Sequence, residues 1–230
     1  MINVLHMDVP LVDFEGKKTP SHQGETWQKL QNTDAVFNCF PTGTGKTRAL
    51  LHAIRKNGIE RALIIAPINQ LIEQYAVDVQ EYLGRHNMPH RVEIITGPGL
   101  DKKGPNHSKE LRNILQSEGT GQPVIAIANP DILHYVIVHR YGKHFGASDL
   151  FSRLIMFPEL VAFDEFHIYD PQRLFFAISM LLNAKEAKRN TKFLFLSATP
   201  HPTFLEVVKQ MGFSPVVLEP GEKPGEESTT

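Results

Sequence analysis

The residues Phe40-Pro41-Thr42-Gly43-Thr44-Gly45-Lys46-Thr47 have the types and spacing of a phosphate cradle. Gly43 and Gly45 permit turn conformations closed to bulkier residues. Successive backbone N–H groups then converge on an anion, reinforced by the N-terminus of a following helix. In such a loop Lys46 reaches the β and γ phosphates of a nucleoside triphosphate, and the Thr47 hydroxyl ligands Mg²⁺. A second group of reactive types, Asp164-Glu165-Phe166-His167, follows the apolar run Leu160-Val161-Ala162-Phe163. Asp164 is suited to hold Mg²⁺, mostly through water, and Glu165 to orient and deprotonate an attacking water. Because the phosphoryl transition state is loose, the protein contributes positioning and charge stabilisation. A third group, Ser197-Ala198-Thr199, follows Lys192-Phe193-Leu194-Phe195-Leu196. His167 is expected to link the nucleotide site to Ser197 and Thr199 by hydrogen bonds.

Each group has a plain alternative: a Gly/Thr-rich surface turn, a strand emerging into a solvated acidic turn, a turn after a strand. The flanking elements favour the chemical reading. Ala35 to Phe40 reads as a short buried strand, and Arg48 to Arg55 as a helix with an apolar stripe. That strand, turn and helix start are the context the phosphate motif requires.

The remaining elements alternate in the same way. Arg61 to Ala66 and Pro123 to Ala128 are continuous apolar runs of the kind buried in parallel sheets. Val92 to Thr96 is a further strand. Helices are expected over Glu25–Gln31, from a turn within Pro67–Gln74 to about Leu83, near Lys109–Gln116, over Pro171–Lys188 and over Pro202–Met211. Asn129-Pro130-Asp131 reads as a helix start, with Asn129 as N-cap and Pro130 in the first position. Gly97 to Gln122 reads as an exposed excursion, and Pro215 to Leu218 as a short apolar piece. Strands alternating with helices predict an α/β fold, a mainly parallel sheet covered on both faces. Ligands in such sheets bind beyond the strand C-termini, where all three groups fall.

Composition narrows the function classes. With 41 % apolar residues the 230-residue chain can pack a substantial core, and no run reaches transmembrane length. Met1 to Gly16 alternates apolar residues with Asp8, Asp13 and Glu15 and resembles neither signal nor transit peptide, so a cytoplasmic location is the expectation. The single Cys39 excludes a disulfide framework and a cysteine zinc cluster. The net charge of −1 carries no general basic footprint, so a nucleic-acid partner would be held by local loops and helix ends. His86, His90, His134, His139 and His144 lack carboxylate or cysteine partners at ligand spacing and read as ordinary histidines. No His-Asp dipeptide occurs, so a metal-dependent nuclease of the HD type is not encoded.

Taken together and in this order, PTGTGKT, DEFH and SAT resemble the first RecA-like domain of a superfamily 2 DExH-box helicase. The resemblance covers roughly Gln23 to Met211. It implies ATP and Mg²⁺ as ligands, with Phe40 to Thr47 around the phosphates and catalytic roles for Lys46 and Glu165. Gln23, 23 residues before Lys46, resembles the element whose amide reads the adenine edge, with Gln28 as runner-up. Pro67, Asn69, Gln70, Thr96, Gly97, Asn129, Pro130 and Asp131 match the segments that grip one nucleic-acid strand. The family loop begins with Gly or Ala; Phe40 departs from this, which bears on packing at the loop's start but not on the Gly-Lys-Thr end.

More narrowly, DEFH and Ile-Ala-Asn-Pro-Asp-Ile-Leu-His (127–134) are similar to the helicase subunit of type I CRISPR interference, in the type I-D-like form without its own HD nuclease. That similarity implies single-stranded DNA, an RNA-guided surveillance complex and a separate HD nuclease subunit as partners. A DExH RNA helicase, a restriction-enzyme motor and a non-catalytic docking module are the alternatives. The expected organisation is an N-terminal segment (1–22), a RecA-like domain (23–218) and a disordered tail (219–230). A second RecA-like lobe, which carries the family's arginine finger, would have to be supplied from outside these residues.

Overall fold

Apolar runs that alternate large side chains toward both sides become strands with two buried faces. In the computed structural model, which describes residues 9–96, 114, 121–131, 155–187, 189–199 and 202–220, seven strands form one sheet, and its five inner ones are such runs. Its members are β3 (Ala35–Asn38), β4 (Arg61–Ile65), β5 (Arg91–Ile95), β6 (Val124–Ala128), β7 (Leu160–Phe163), β8 (Lys192–Leu196) and β9 (Pro215–Leu218). The order is β5-β6-β4-β7-β8-β3-β9, and every pairing is parallel. Parallel strands need helical crossovers, which cover both faces and explain the nearly continuous hydrophobicity of the runs.

The two-residue side-chain period divides the core. Phe37, Phe163, Phe193 and Phe195 pack on one face under α4 (Pro171–Glu186) and α5 (Pro202–Gln210). Val36, Ile64, Ala162, Leu194 and Leu196 face the other side, under α1 (Ser21–Asn32), α2 (Lys46–Lys56) and α3 (Asn69–Arg85).

Three elements differ from the sequence expectation. Leu11–Phe14 (β1) and Lys17–Pro20 (β2) form an antiparallel hairpin within the segment read as N-terminal flank. Its two-residue turn, Glu15-Gly16, has positive φ at both positions (54° and 74°), matching the right-handed twist of paired strands. The Glu15 carboxylate, held down at about 2 by hydrogen bonds from Arg55 and Lys56, ties this turn to the end of α2. Next, α1 starts at Ser21 rather than Glu25, because Pro20 serves as its cap and Ser21 N donates to Pro10 O (2.7 Å). His22 and Gln23 are therefore helical. Finally, Pro215–Leu218 is a true edge strand in register with β3. The helix expected near Lys109–Gln116 and most of the excursion lie outside the described residues, as does nearly all of the expected tail. No helix among the described residues is long and apolar enough to cross a membrane.

Candidate nucleotide site

The phosphate loop joins β3 to α2. Gly43 and Gly45 have φ of +83° and +86°, which bring the chain around within a few residues. At Gly45 the left-handed backbone disfavours a side chain, and a Cβ would lie 2.4 Å from Gln23 Nε2, so the amide would have to move. Lys46 opens α2 with 7 % of its surface exposed, and its Nζ donates to Phe40 O (2.8 Å) and Pro41 O (3.2 Å). Burial pulls its pKa down, opposed by the nearby carboxylates of Glu165 and Asp164. Phe40, the departure from the family pattern, is itself buried and stacks on the His22 ring at 4.3 Å. Thr44 closes a turn on Pro41, its Oγ1 donating to Pro41 O (2.8 Å).

The acidic segment leaves β7 two strands away, with β8 between. Asp164 N donates to Ile65 O (2.9 Å), and the Tyr169 hydroxyl donates to the same carbonyl (3.1 Å). Burial, then the neighbouring Glu165, pushes the Asp164 carboxyl up to about 6. Glu165 adopts a left-handed conformation, φ +46°, which turns the chain into a short 3₁₀ helix, Phe166–Ile168. Tyr75, on α3, buries its hydroxyl within electrostatic reach of Asp164 and Thr47 without a hydrogen bond of regular geometry to either. Thr47, Asp164 and Lys46 thus lie within electrostatic reach of one small region.

His167 links this segment to the end of β8, through different atoms than expected. Its Nδ1 lies 3.3 Å from Glu165 Oε2 and 3.4 Å from Ala198 N, a backbone donor. One nitrogen cannot donate to the carboxylate and accept from Ala198 at the same moment, so its proton decides which neighbour it serves. The Ser197 hydroxyl instead donates to Thr199 O and accepts from Thr199 N (3.3 Å), bracing its own turn.

Gln23 is 4 % exposed; its Nε2 donates to Thr44 O (3.0 Å), while its buried Oε1 has no hydrogen-bond partner. Beside it opens a cavity of about 480 Å³, bounded by the loop and by Arg48, Leu51, Asp78 and Tyr82. Those four residues were not visible as site residues from sequence, because α2 and α3 positions carry no local motif. The strand-gripping candidates fall on the other half of the sheet edge. Ile95, Ala128 and Ile65 are in register, so the positions that follow them, Thr96, Asn129 and Ala66, lie side by side, with Pro67 one step further. Thr96 and Asn129 are buried, whereas Asp131 is exposed and lies 3.8 Å from Arg173. Asn69 and Gln70 open α3, but their side chains, like Gly97, lie outside the described residues.

A parallel sheet carrying a glycine-turned phosphate loop and an acidic strand end at one edge defines a RecA-like P-loop domain. Comparison with known proteins assigns it more closely: residues 20–207 match the DEAD/DEAH box helicase family, to which this chain belongs. It is 25 % identical over 153 residues to the uncharacterized ATP-dependent helicase YprA of Bacillus subtilis (strain 168), covering 65 % of this chain and 18 % of that protein. The crystal structure of the DUF1998 helicase MrfA bound to DNA matches with a TM-score of 0.65 and 18 % identity, over 88 % of this chain and 27 % of that one. The complex of MrfA with DNA and AMPPNP gives 0.60 and 20 %, over 88 % and 27 %. A hypothetical ATP-dependent RNA helicase from Sulfolobus tokodaii gives 0.57 and 20 %, over 86 % and 51 %. The chain thus spans about a fifth of YprA and about a quarter of MrfA.

Proposed function

We propose that this chain is the first RecA-like lobe of an ATP-dependent DNA helicase, hydrolysing ATP when a second lobe closes over it. The observation that carries the reading is the convergence of Lys46, Thr47, Asp164 and Glu165 at one sheet edge. Lys46 exchanges the Phe40 and Pro41 carbonyls for phosphate oxygens. Glu165 orients and deprotonates the attacking water. His167, with its Nδ1 between Glu165 and Ala198, relays the state of the site to the Ser197–Thr199 turn. Gln23 reads the base from the side of the cavity, its free Oε1 suited to an amino donor such as that of adenine. A nucleic-acid strand would be gripped by Pro67, Asn69, Gln70, Thr96, Gly97, Asn129, Pro130 and Asp131.

The donor set fits Mg²⁺: a Thr47 hydroxyl and an Asp164 carboxylate are hard oxygen ligands, and burial leaves Asp164 in want of a cation. Bound there, Mg²⁺ would neutralise charge on the β and γ phosphates.

DNA is favoured as the strand by the likeness to MrfA, solved bound to DNA. The narrower assignment to type I CRISPR interference, with a surveillance complex and an HD nuclease as partners, rests on DEFH and residues 127–134 alone. The lobe in this proposal ends at residue 218 and begins at the hairpin rather than at residue 23, because α1 starts at Ser21 and the Glu15 turn is tied to α2.

ATP turnover with single-stranded DNA or RNA, alongside two variants, tests this. Lys46→Ala is expected to weaken ATP binding by roughly ten- to a hundredfold, the worth of a charge-assisted contact. Glu165→Gln is expected to retain binding and to lower turnover at least about a hundredfold. Undiminished ATP affinity in the lysine variant would sink the assignment, and stimulation by RNA alone would reassign the strand.

A further inference from the structure

The carbonyl of Thr44 accepts two side-chain donors, Gln23 Nε2 at 3.0 Å and His22 Nε2 at 3.1 Å. Base reading, assigned above, occupies Gln23. No role has yet been given to His22, which is 0 % exposed and whose ring is enclosed on every side.

A chain of hydrogen bonds dictates its protonation. The Thr26 hydroxyl donates to His22 O (2.6 Å), so its oxygen is left to accept. Asn38 Nδ2 donates to that oxygen (3.0 Å) and also lies 2.9 Å from His22 Nδ1. The Asn38 amide cannot be reversed, because its Oδ1 accepts from Phe40 N (3.4 Å). His22 Nδ1 must therefore accept, and its one proton must sit on Nε2, directed at Thr44 O. Burial holds the ring neutral, with its pKa lowered to about 4.

In a trans peptide the carbonyl oxygen and the following N–H point in opposite directions. An anchor on Thr44 O therefore aims the Gly45 N–H away from His22 and Gln23 on α1, and a phosphate loop offers such N–H groups to an anion. We propose that His22 is the positioning residue of the phosphate loop, fixing the Thr44–Gly45 peptide so that the Gly45 N–H faces the polyphosphate whatever base is attached. Gln23 can turn its amide to a base only if a second donor keeps that peptide in place, and the buried imidazole is that donor.

The inference rests on the reading of the loop as a triphosphate site, and the test separates the two. His22→Phe keeps a ring over Phe40 and removes both nitrogens, whereas His22→Gln restores a donor near the position of Nε2. Affinities for ATP and for inorganic tripolyphosphate, each with Mg²⁺, are measured by calorimetry on all three proteins. The expected result is an equal loss of about tenfold for both ligands in His22→Phe, with most of it recovered in His22→Gln. A loss for ATP alone, no loss, or equal losses in both variants would overturn the proposal. Wild-type protein that binds neither ligand would overturn the nucleotide reading itself. Should His22→Phe fail to fold, ¹⁵N NMR of the wild-type imidazole decides. A neutral ring with the proton on Nε2 at pH 7 is expected; an imidazolium or an Nδ1–H form would overturn the proposal.

Discussion

The phosphate loop after β3 and the acidic segment after β7 stand at the same sheet edge, yet opposite forces hold them. The loop hangs on polar groups: Thr26, Asn38, His22 and Gln23 form a buried relay that ends on one backbone carbonyl. The acidic segment is held by rings. Phe166, next to Glu165, is 1 % exposed and lies 4.6 Å from Phe204, 5.0 Å from Phe195 and 5.2 Å from Tyr169. Hydrogen bonds are directional and aim a peptide, whereas packed rings resist displacement without choosing an orientation for any single N–H. The loop must present N–H groups to an anion. The acidic segment carries two neighbouring carboxylates, and burial works against the charge of Asp164.

The largest effect should come from emptying the ring cluster. Phe166→Ala is expected to cost about 3–5 kcal/mol of stability, the usual range for a buried Phe, read from the urea midpoint. If it costs less than about 1 kcal/mol, the rings are not what holds Glu165, and the contrast between the two regions fails.

Acidification should divide the regions by sign. The folded-state pKa of His22, about 4, lies below its ordinary 6.5, so the unfolded chain takes up its proton first. The stability this group contributes is complete above pH 6.5 and falls away between 6.5 and about 4, by on the order of 3 kcal/mol. His52, buried against Tyr82 and also lowered to about 4 by burial, acts in the same direction. Asp164 is opposite: its raised pKa, about 6 against 3.8, disfavours the fold as pH rises through that window and relieves it as pH falls. Denaturation midpoints from pH 7 to 4.5 should therefore show a shallower acid loss in His22→Phe and a steeper one in Asp164→Asn than in wild type. The same slope in both variants would contradict the assignment.

The smallest effect concerns Tyr75, whose hydroxyl lies where the two regions meet, near Thr47 and Asp164. Because that hydroxyl is buried without a regular partner, Tyr75→Phe should leave stability unchanged or raise it by up to about 1 kcal/mol. A loss beyond about 1 kcal/mol in thermal unfolding would show that the hydroxyl is already bonded within the site.

Much of the ring-held region could be read from the chain alone. The continuous apolar runs of Leu160–Phe163 and Lys192–Leu196 announce buried parallel strands, and the residues that follow them must then emerge at the ligand-binding edge. The polar relay was less legible. His22 and Gln23 were read as preceding a helix that in fact contains them, and the hairpin ahead of them was missed. Only its Glu15-Gly16 turn gave any local signal, and that signal depends on strand pairing to mean anything.

By itself the sequence determined the chemistry available and the end of the sheet at which it stands. Glycines at 43 and 45, a lysine at 46 and carboxylates closing an apolar run are short-range requirements, met within a few residues of backbone. Only the tertiary structure decided which side chains anchor that chemistry. It put His22 on the Thr44 carbonyl, Tyr75 beside Asp164 and the hairpin turn on α2. Those choices join residues 22, 89 and 40 positions apart, and over such distances packing and the satisfaction of buried polar groups, not local pattern, select the partner.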